Sequence, residues 1–205
     1  MARPRSSSID VATPERILAA AEIQFAERGL AGARLSDIAT AAGLRRPSLL
    51  YHFKTKDLLY AAVVTRCFAR LGLALTTAQA VDGSVEERLR AVAGAFGGFL
   101  DGEPHVARIF VREILDSEGP GGALLIQQAA PLLDGMEVWI RESVGARLRK
   151  DLDVRVLMMH IASDALLRNC AGPLREPLWG APAADRSFQI AQLLLEPEVL
   201  SLIHI

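Results

Sequence analysis

LSDIATAAGLRRPSLLYHFKTKDL, residues 35–58, decides how the rest of the chain reads. It holds two short helical patterns separated by one glycine. Ile38, Ala39 and Ala42 make the apolar side of the first. Gly43 then supplies the left-handed residue of a tight helix-to-helix turn, where a Cβ would clash. Leu44 fills the corner, and Pro47 opens the second helix, since its fixed φ and missing N–H suit a first helical position. Leu49 and Phe53 lie four apart on the inner face of that helix. Arg46, Ser48, Leu50, Tyr51 and His52 are left on its outer face, with Arg45 just ahead. A helix-turn-helix with a basic, hydroxyl-bearing and aromatic outer face has what entry into a DNA major groove requires.

Around this stretch the pattern becomes more specific. Ile17, Phe25, Gly29, Asp37-Ile38-Ala39, Ala42-Gly43-Leu44, Ser48-Leu49, Tyr51-His52-Phe53, Lys54, Lys56 and Leu58-Leu59 stand in a fixed order. Through them the segment Pro14–Leu59 resembles the DNA-binding region of the tetracycline-repressor (TetR) family of bacterial transcription regulators. Leu50 departs from the family's usual tyrosine, which removes a hydroxyl from the outer face. The resemblance covers about a quarter of the chain. It implies an all-α protein in which a three-helix head is joined by a connector helix to a larger ligand-binding and dimerisation body. The rest matches the family only in size and helical texture.

Composition is compatible with that frame. The 205 residues are 51% apolar, enough for a sizeable core, and fit one domain or a small one plus a larger one. No apolar run approaches the ~20 residues that span a bilayer, and MARPRSSSID lacks the apolar stretch of a secretory signal. Cys67 and Cys170 stand far apart without zinc-type spacing, so two free thiols in a reducing cytoplasm are expected. Residues 1–60 carry nine Lys/Arg against six Asp/Glu, a net +3, while the remainder nets −4. A basic head on an acidic body suits a protein that meets a polyanion at one end.

In chain order, residues 1–12 with Arg3 and Arg5 read as a flexible arm, 13–56 as the helix-turn-helix domain and 57–205 as the body. Thr13-Pro14-Glu15 is a helix start and Gly29 its end. Ser36 or a neighbour should cap the second helix. The connector runs from Asp57 to about Thr77. Val85 to about Asp101 and His105–Leu115 are amphipathic, and Gly94, Gly97 and Gly98 imply close backbone packing or room for a ligand. Gly119–Gly122 breaks the chain, and Leu124–Arg149 is helical with a break at Pro131. Leu152–Ala171 is apolar nearly all round and must be buried on two sides. Ala184–Leu195 is the last clear helix, followed after Pro197 by an apolar tail.

Function follows from these placements. One recognition helix discriminates by only about 1–3 kcal/mol per good base contact, too little to find a single genomic site. A homodimer through Leu152–Ala171 and Ala184–Leu195, on a near-palindromic double-stranded operator, supplies the second copy. Arg46 is the candidate guanine reader, Ser48 a base or phosphate contact, and Leu50 a thymine-methyl contact. Tyr51, His52 and Lys56 are candidate phosphate positioners, with Arg34, Ser36, Arg45 and Pro47 around the helix ends. The family resemblance implies that a small, largely hydrophobic effector releases a repressor from its operator. Phe96, Phe99, Phe110, Glu113, Met136, Trp139, His160 and Asp164 are the candidate pocket. Glu113, a carboxylate on an apolar face, is expected either to pair with Arg108, Arg112 or His160 or to meet a polar ligand group. His52, His105, His160 and His204 form no metal-type pair, and no nucleophile or phosphate-loop motif is present. Neither a cofactor nor an enzyme is expected. The rival reading is a helical small-molecule-binding or catalytic protein whose helix-turn-helix contacts only protein.

Overall fold

Apolar residues at three- and four-residue spacing become helices along the chain, and among the described residues the only extended pairing is one bridge between Leu148 and Leu195. The computed structural model describes residues 9–116, 120–181 and 185–195. In order these are α1 (Ile9–Gly32), α2 (Leu35–Ala41), α3 (Arg46–His52), α4 (Lys56–Gln79), α5 (Val85–Gly102), α6 (Pro104–Leu115), α7 (Pro120–Val144), α8 (Val154–Cys170), α9 (Arg175–Trp179) and α10 (Arg186–Ala191). The arm with Arg3 and Arg5, the break at Gly119, the loop residue Pro182, the start at Ala184, and the tail with His204 lie outside the described residues.

The chain forms two compact units, Met1–Arg70 with Glu103–Ala129, and Leu71–Gly102 with Ala130–Ile205. Compactness therefore divides the chain elsewhere than at residue 56, because α6 packs on α1. The core of the first unit is built on Ile17, Phe25, Ile38, Leu49, Leu59, Val63 and Ile109, all fully buried. Tyr60 meets Phe25 edge-on at 4.9 Å, and Phe68 stacks on Phe110 at 4.5 Å. An ion pair is sealed beside them. Both oxygens of the buried Glu22 on α1 accept from Arg70 of α4 at 2.9 Å, with Arg66 at 3.5 Å. Removing one partner from such a pair costs about 3–5 kcal/mol, because the other charge stays buried.

In the second unit α10 packs on α5 and α8. Gly97 allows the approach, since a Cβ there would sit 3.0 Å from the Ser187 hydroxyl. The other two glycines of that trio, Gly94 and Gly98, face open space. Buried Arg168 donates to Asp101 at 2.9 Å, and Arg175 reaches the same oxygen at 3.1 Å. Trp179 donates its indole N–H to Asp164 at 2.8 Å, which pins α9 to α8. On the surface, Glu137 accepts from Arg141 and Arg155, in that order of effect, and both hold its carboxyl below the usual range.

Several boundaries differ from expectation. α1 begins at Ile9, not Thr13, with Pro14 inside it. It kinks at Gly29, whose φ of 67° and ψ of 176° leave the helical region, and then adds a further turn. α2 starts at Leu35 with Arg34 as N-cap and no side-chain cap bond, because the Ser36 hydroxyl turns to Asp37. α7 continues through Pro131 and closes in a 3-10 turn at Gly145–Arg147. α9 was not expected, and α10 is only six residues long, with a 3-10 turn after it.

Thr65, Arg66 and Arg70 interrupt α4, so it holds no unbroken apolar run of membrane length, yet it is apolar overall. α4 is 24 residues long and reaches a mean hydropathy of 1.6, so by length and composition alone it would pass as a span. The physical reason for its apolarity is packing: Leu59, Val63, Val64, Cys67, Leu71 and Leu75 are all buried.

Candidate nucleic-acid interface

The turn between α2 and α3 is closed by its own backbone. Leu44 N–H bonds Ala39 O at 2.8 Å and Gly43 N–H bonds Thr40 O at 3.0 Å, with Gly43 at φ 68°. This is the paired C-terminal cap that a left-handed residue permits. From α1, the Arg16 guanidinium donates to Ala42 O and fills the space where a Gly43 side chain would go, only 2.9 Å from its Cβ position. Arg28 of α1 pairs with Asp37 of α2 at 2.7 Å. The Lys56 ammonium donates to Ala31 O at 3.1 Å and Ala33 O at 3.2 Å, tying α4 to the α1–α2 link. Three cations thus hold the small helices in place by ending on backbone or carboxylate oxygens.

Against that frame α3 presents two different sides. Leu49 is 0% exposed and anchors it to the core, while Phe53 is half-buried. Arg45, Arg46, Pro47 and Ser48 are exposed, and Tyr51 is 74% exposed. Leu50 and His52 are half-buried at the edge of that surface. The Tyr51 ring meets His52 edge-on at 5.3 Å and has the Lys54 ammonium 5.6 Å from its centre. Arg34, the N-cap of α2, and Ser36 in its first turn are exposed as well. A guanidinium, a hydroxyl and an aromatic with a cation over it therefore share one solvent-facing helix.

The tetR family model of bacterial regulatory proteins matches residues 17–63, the stretch that builds this surface. Over that stretch the chain is similar to the tetR family. Among curated relatives, the HTH-type transcriptional activator FasR of Mycolicibacterium smegmatis is 35% identical over 85 residues. That match spans 42% of this chain and 38% of FasR, so well under half of the relative's length is aligned. The regulator FadR of Bacillus subtilis, solved in complex with stearoyl-CoA, superposes with a TM-score of 0.71 at 17% identity, covering 89% of this chain and 97% of FadR. The fatty acid degradation regulator FadR of Bacillus halodurans gives 0.69 at 19% identity, covering 99% and 100%. At such identities the two structures establish the fold alone, which this chain shares.

The expected pocket residues fall in both units, Phe110 and Glu113 in the first and the rest in the second. Phe96 and Phe99 are half-buried on α5, and Phe110 is core, stacked on Phe68. Glu113 pairs with none of Arg108, Arg112 or His160; its carboxylate accepts from the Tyr60 hydroxyl in the interior of the first unit. Burial first, then that carboxylate, pushes the Tyr60 phenol well up. His160 is exposed and bonds its own helix at Val156 O, 2.8 Å away. Asp164 is taken by Trp179. Met136 and Trp139 line an open cleft of about 300 Å³ in the second unit, with Leu75, Gln79, Leu132 and Glu142 among its other walls.

Arg16, Arg28, Tyr60 and Arg112 carry contacts that sequence reasoning passed over. Their partners lie 9 to 86 residues away. Lys56, expected at phosphate, is instead engaged by two carbonyls and acts first as a structural staple.

Proposed function

We propose that the chain is a sequence-specific transcription regulator that binds a near-palindromic DNA operator as a homodimer and leaves it when a small hydrophobic effector binds. In this reading residues 13–56 read DNA and residues 57–205 carry the effector site and the dimer contact. The observation that carries it is the exposed α3 surface of Arg46, Ser48 and Tyr51 set on a buried Leu49. Arg46 offers two parallel N–H donors for guanine O6 and N7. Ser48 and Leu50 sit beside it for a polar contact and a thymine methyl. Tyr51, His52, Arg45, Arg34 and Ser36 ring that centre as phosphate positioners.

Dimerisation is supported by an unsatisfied face of α8. Val156, Met159 and Leu167 are exposed at helical spacing, and Leu174 and Leu178 on the following segment are exposed too. α10 spends its apolar side, Phe188 and Ala191, within its own unit. The partner contact therefore falls mainly within Leu152–Ala171, with a smaller share from the expected Ala184–Leu195. The apolar cleft with Met136 and Trp139 supports an effector with a hydrocarbon portion. The stearoyl-CoA held by the similar B. subtilis FadR points to the acyl class. Repression is the simplest output, because occupancy of an operator blocks polymerase; the activator role of FasR favours testing activation as well.

Selection of duplexes from a random pool, followed by binding at fixed salt with and without long-chain acyl thioesters, tests the proposal. Enrichment of a two-fold motif that the thioester releases supports it. A pool that never enriches refutes DNA reading and leaves the protein-contact alternative.

A further inference from the structure

The solvent side of α8 is one narrow stripe. Val156, Met159, His160, Ser163 and Leu167 are exposed, while the other residues of the helix are half-buried or buried. On a 3.6-residue helix those five fall within an arc of about 100°. None of them carries a fixed charge. The charged groups of α8 and its cap are spent elsewhere. Asp153 accepts from Val156 N–H at 3.1 Å, and Arg155 donates to Asp134 and Glu137 of α7. Asp164 takes the Trp179 indole N–H at 2.8 Å and has Arg168 at 3.7 Å from its other oxygen, while Arg168 donates to Asp101 at 2.9 Å. Cys170 ends the helix and is half-buried. His160 is therefore the one titratable group on the stripe.

From its middle outward the stripe is palindromic. Val156 and Leu167 stand at its ends, His160 and Ser163 lie four residues inward from each, and three residues separate the inner pair. Two copies of α8 laid antiparallel about a two-fold axis between His160 and Ser163 match Val156 with the partner's Leu167 and His160 with the partner's Ser163. Each match occurs twice, as a self-complementary contact requires. The polar atoms agree with this register. His160 Nδ1 lies 2.8 Å from Val156 O, and a carbonyl only accepts, so Nδ1 carries the hydrogen and Nε2 is left as a bare acceptor. The Ser163 hydroxyl makes no hydrogen bond among the described residues and has a proton to donate. We infer that α8 meets a second copy in this register, each His160 Nε2 accepting from the partner's Ser163 hydroxyl, and that proton uptake by His160 takes the dimer apart. A protonated ring carries N–H on both nitrogens, so Nε2 no longer accepts. It also sets two positive charges beside the axis of a contact whose carboxylate one turn along, Asp164, is already held by Trp179. The inference rests on the homodimer reading above and adds a control to it: acidity lowers operator affinity by removing the second recognition helix.

The test measures the dimer dissociation constant of the full chain by analytical ultracentrifugation at about pH 7.5 and about pH 5.5, a span in which histidine side chains change charge. Wild-type protein is expected to associate at least about tenfold more weakly at the lower pH, the effect of like charges brought together in a contact. His160→Gln keeps an acceptor for the partner's Ser163 but does not titrate, and is expected to change no more than about twofold across the same span. The register is read separately with two charged variants, His160→Glu and Ser163→Lys. Each alone is expected to be monomeric, and a mixture of the two is expected to form a heterodimer, because the new carboxylate faces the new ammonium across the axis. A wild-type dimer of equal strength at both pH values, or a His160→Gln variant as pH-sensitive as wild type, overturns the proton control. Variants that stay dimeric alone, or a mixture that stays monomeric, overturns the register. All of these leave the homodimer reading standing. A wild-type chain that is monomeric at both pH values, alone and on its selected duplex, overturns the homodimer and this inference together.

Discussion

Arg46→Ala is the substitution whose consequence can be worked furthest from the structure. Arg46 opens α3, is exposed, and shows no hydrogen bond or ion pair among the described residues. Its loss should leave stability within about 0.5 kcal/mol, the usual range for a surface change away from caps and cores. Binding is another matter. One bidentate guanine contact discriminates by about 1–3 kcal/mol, and a two-fold complex loses it twice, about 2–6 kcal/mol in all. Even the lower end is about a 30-fold rise in Kd. Random-sequence DNA does not offer that pairing in register, so its affinity should fall only by the weaker electrostatic share of one cation per protomer. The assay is fluorescence anisotropy on the selected duplex and on a scrambled duplex of equal length, at one salt concentration, beside a thermal melt. Equal losses on the two duplexes would refute base reading by Arg46. A lowered melting temperature would refute the claim that the side chain has no structural duty.

Other substitutions probe the scaffold. Leu49→Ala removes a fully buried anchor of α3 and should lower unfolding free energy by about 2–5 kcal/mol in urea titration, with DNA binding lost at denaturant concentrations where wild type still binds. Gly43→Ala places a Cβ at φ 68° and 2.9 Å from the Arg16 guanidinium; strain of about 1–2 kcal/mol should appear as a lower melting temperature, whereas Thr40→Ala, on the exposed side of α2, should be near neutral. Burial, then the Glu22 carboxylate, pushes the Cys67 thiol up to about 12, so native protein should resist alkylation there at pH 8 until it is unfolded, as read by peptide mass spectrometry. The sign follows: the unfolded thiol ionises from about pH 9 and the folded one only near 12, so this group removes stability as pH rises through that window and has no effect below it.

Much of the head was legible because its signals are local. Gly43 between two short apolar patterns, Pro47 in the first turn of α3, and Leu49 and Phe53 at four-residue spacing each require only their neighbours in sequence. Helix existence in the rest was equally readable from periodicity, apart from the short α9, whose Pro177 and flanking glycines look like loop. Sites in the body were not. Glu113 was visible as a carboxylate on an apolar face, yet its partner Tyr60 lies 53 residues away, and nothing in spacing picks tyrosine over the nearby arginines. Arg112, next to Glu113 in sequence, instead bonds the Ala26 and Glu27 carbonyls of α1, more than 80 residues away. Asp164 and Phe110 read as pocket residues only because an acid or an aromatic on an apolar stripe does not declare whether a tryptophan N–H, another ring or a ligand will meet it. The hydropathy of α4 carried the opposite lesson. Burial on several sides makes a core helix as apolar as a membrane span, so only packing separates the two.

The most direct test of the whole account is a hydroxyl-radical footprint of the protein on its selected duplex. The account predicts two protected patches related by a two-fold axis, centred about one helical turn or a whole multiple of it apart, with both patches weakened together by Arg46→Ala. A single unpaired patch, or protection that Arg46→Ala leaves untouched, would contradict it.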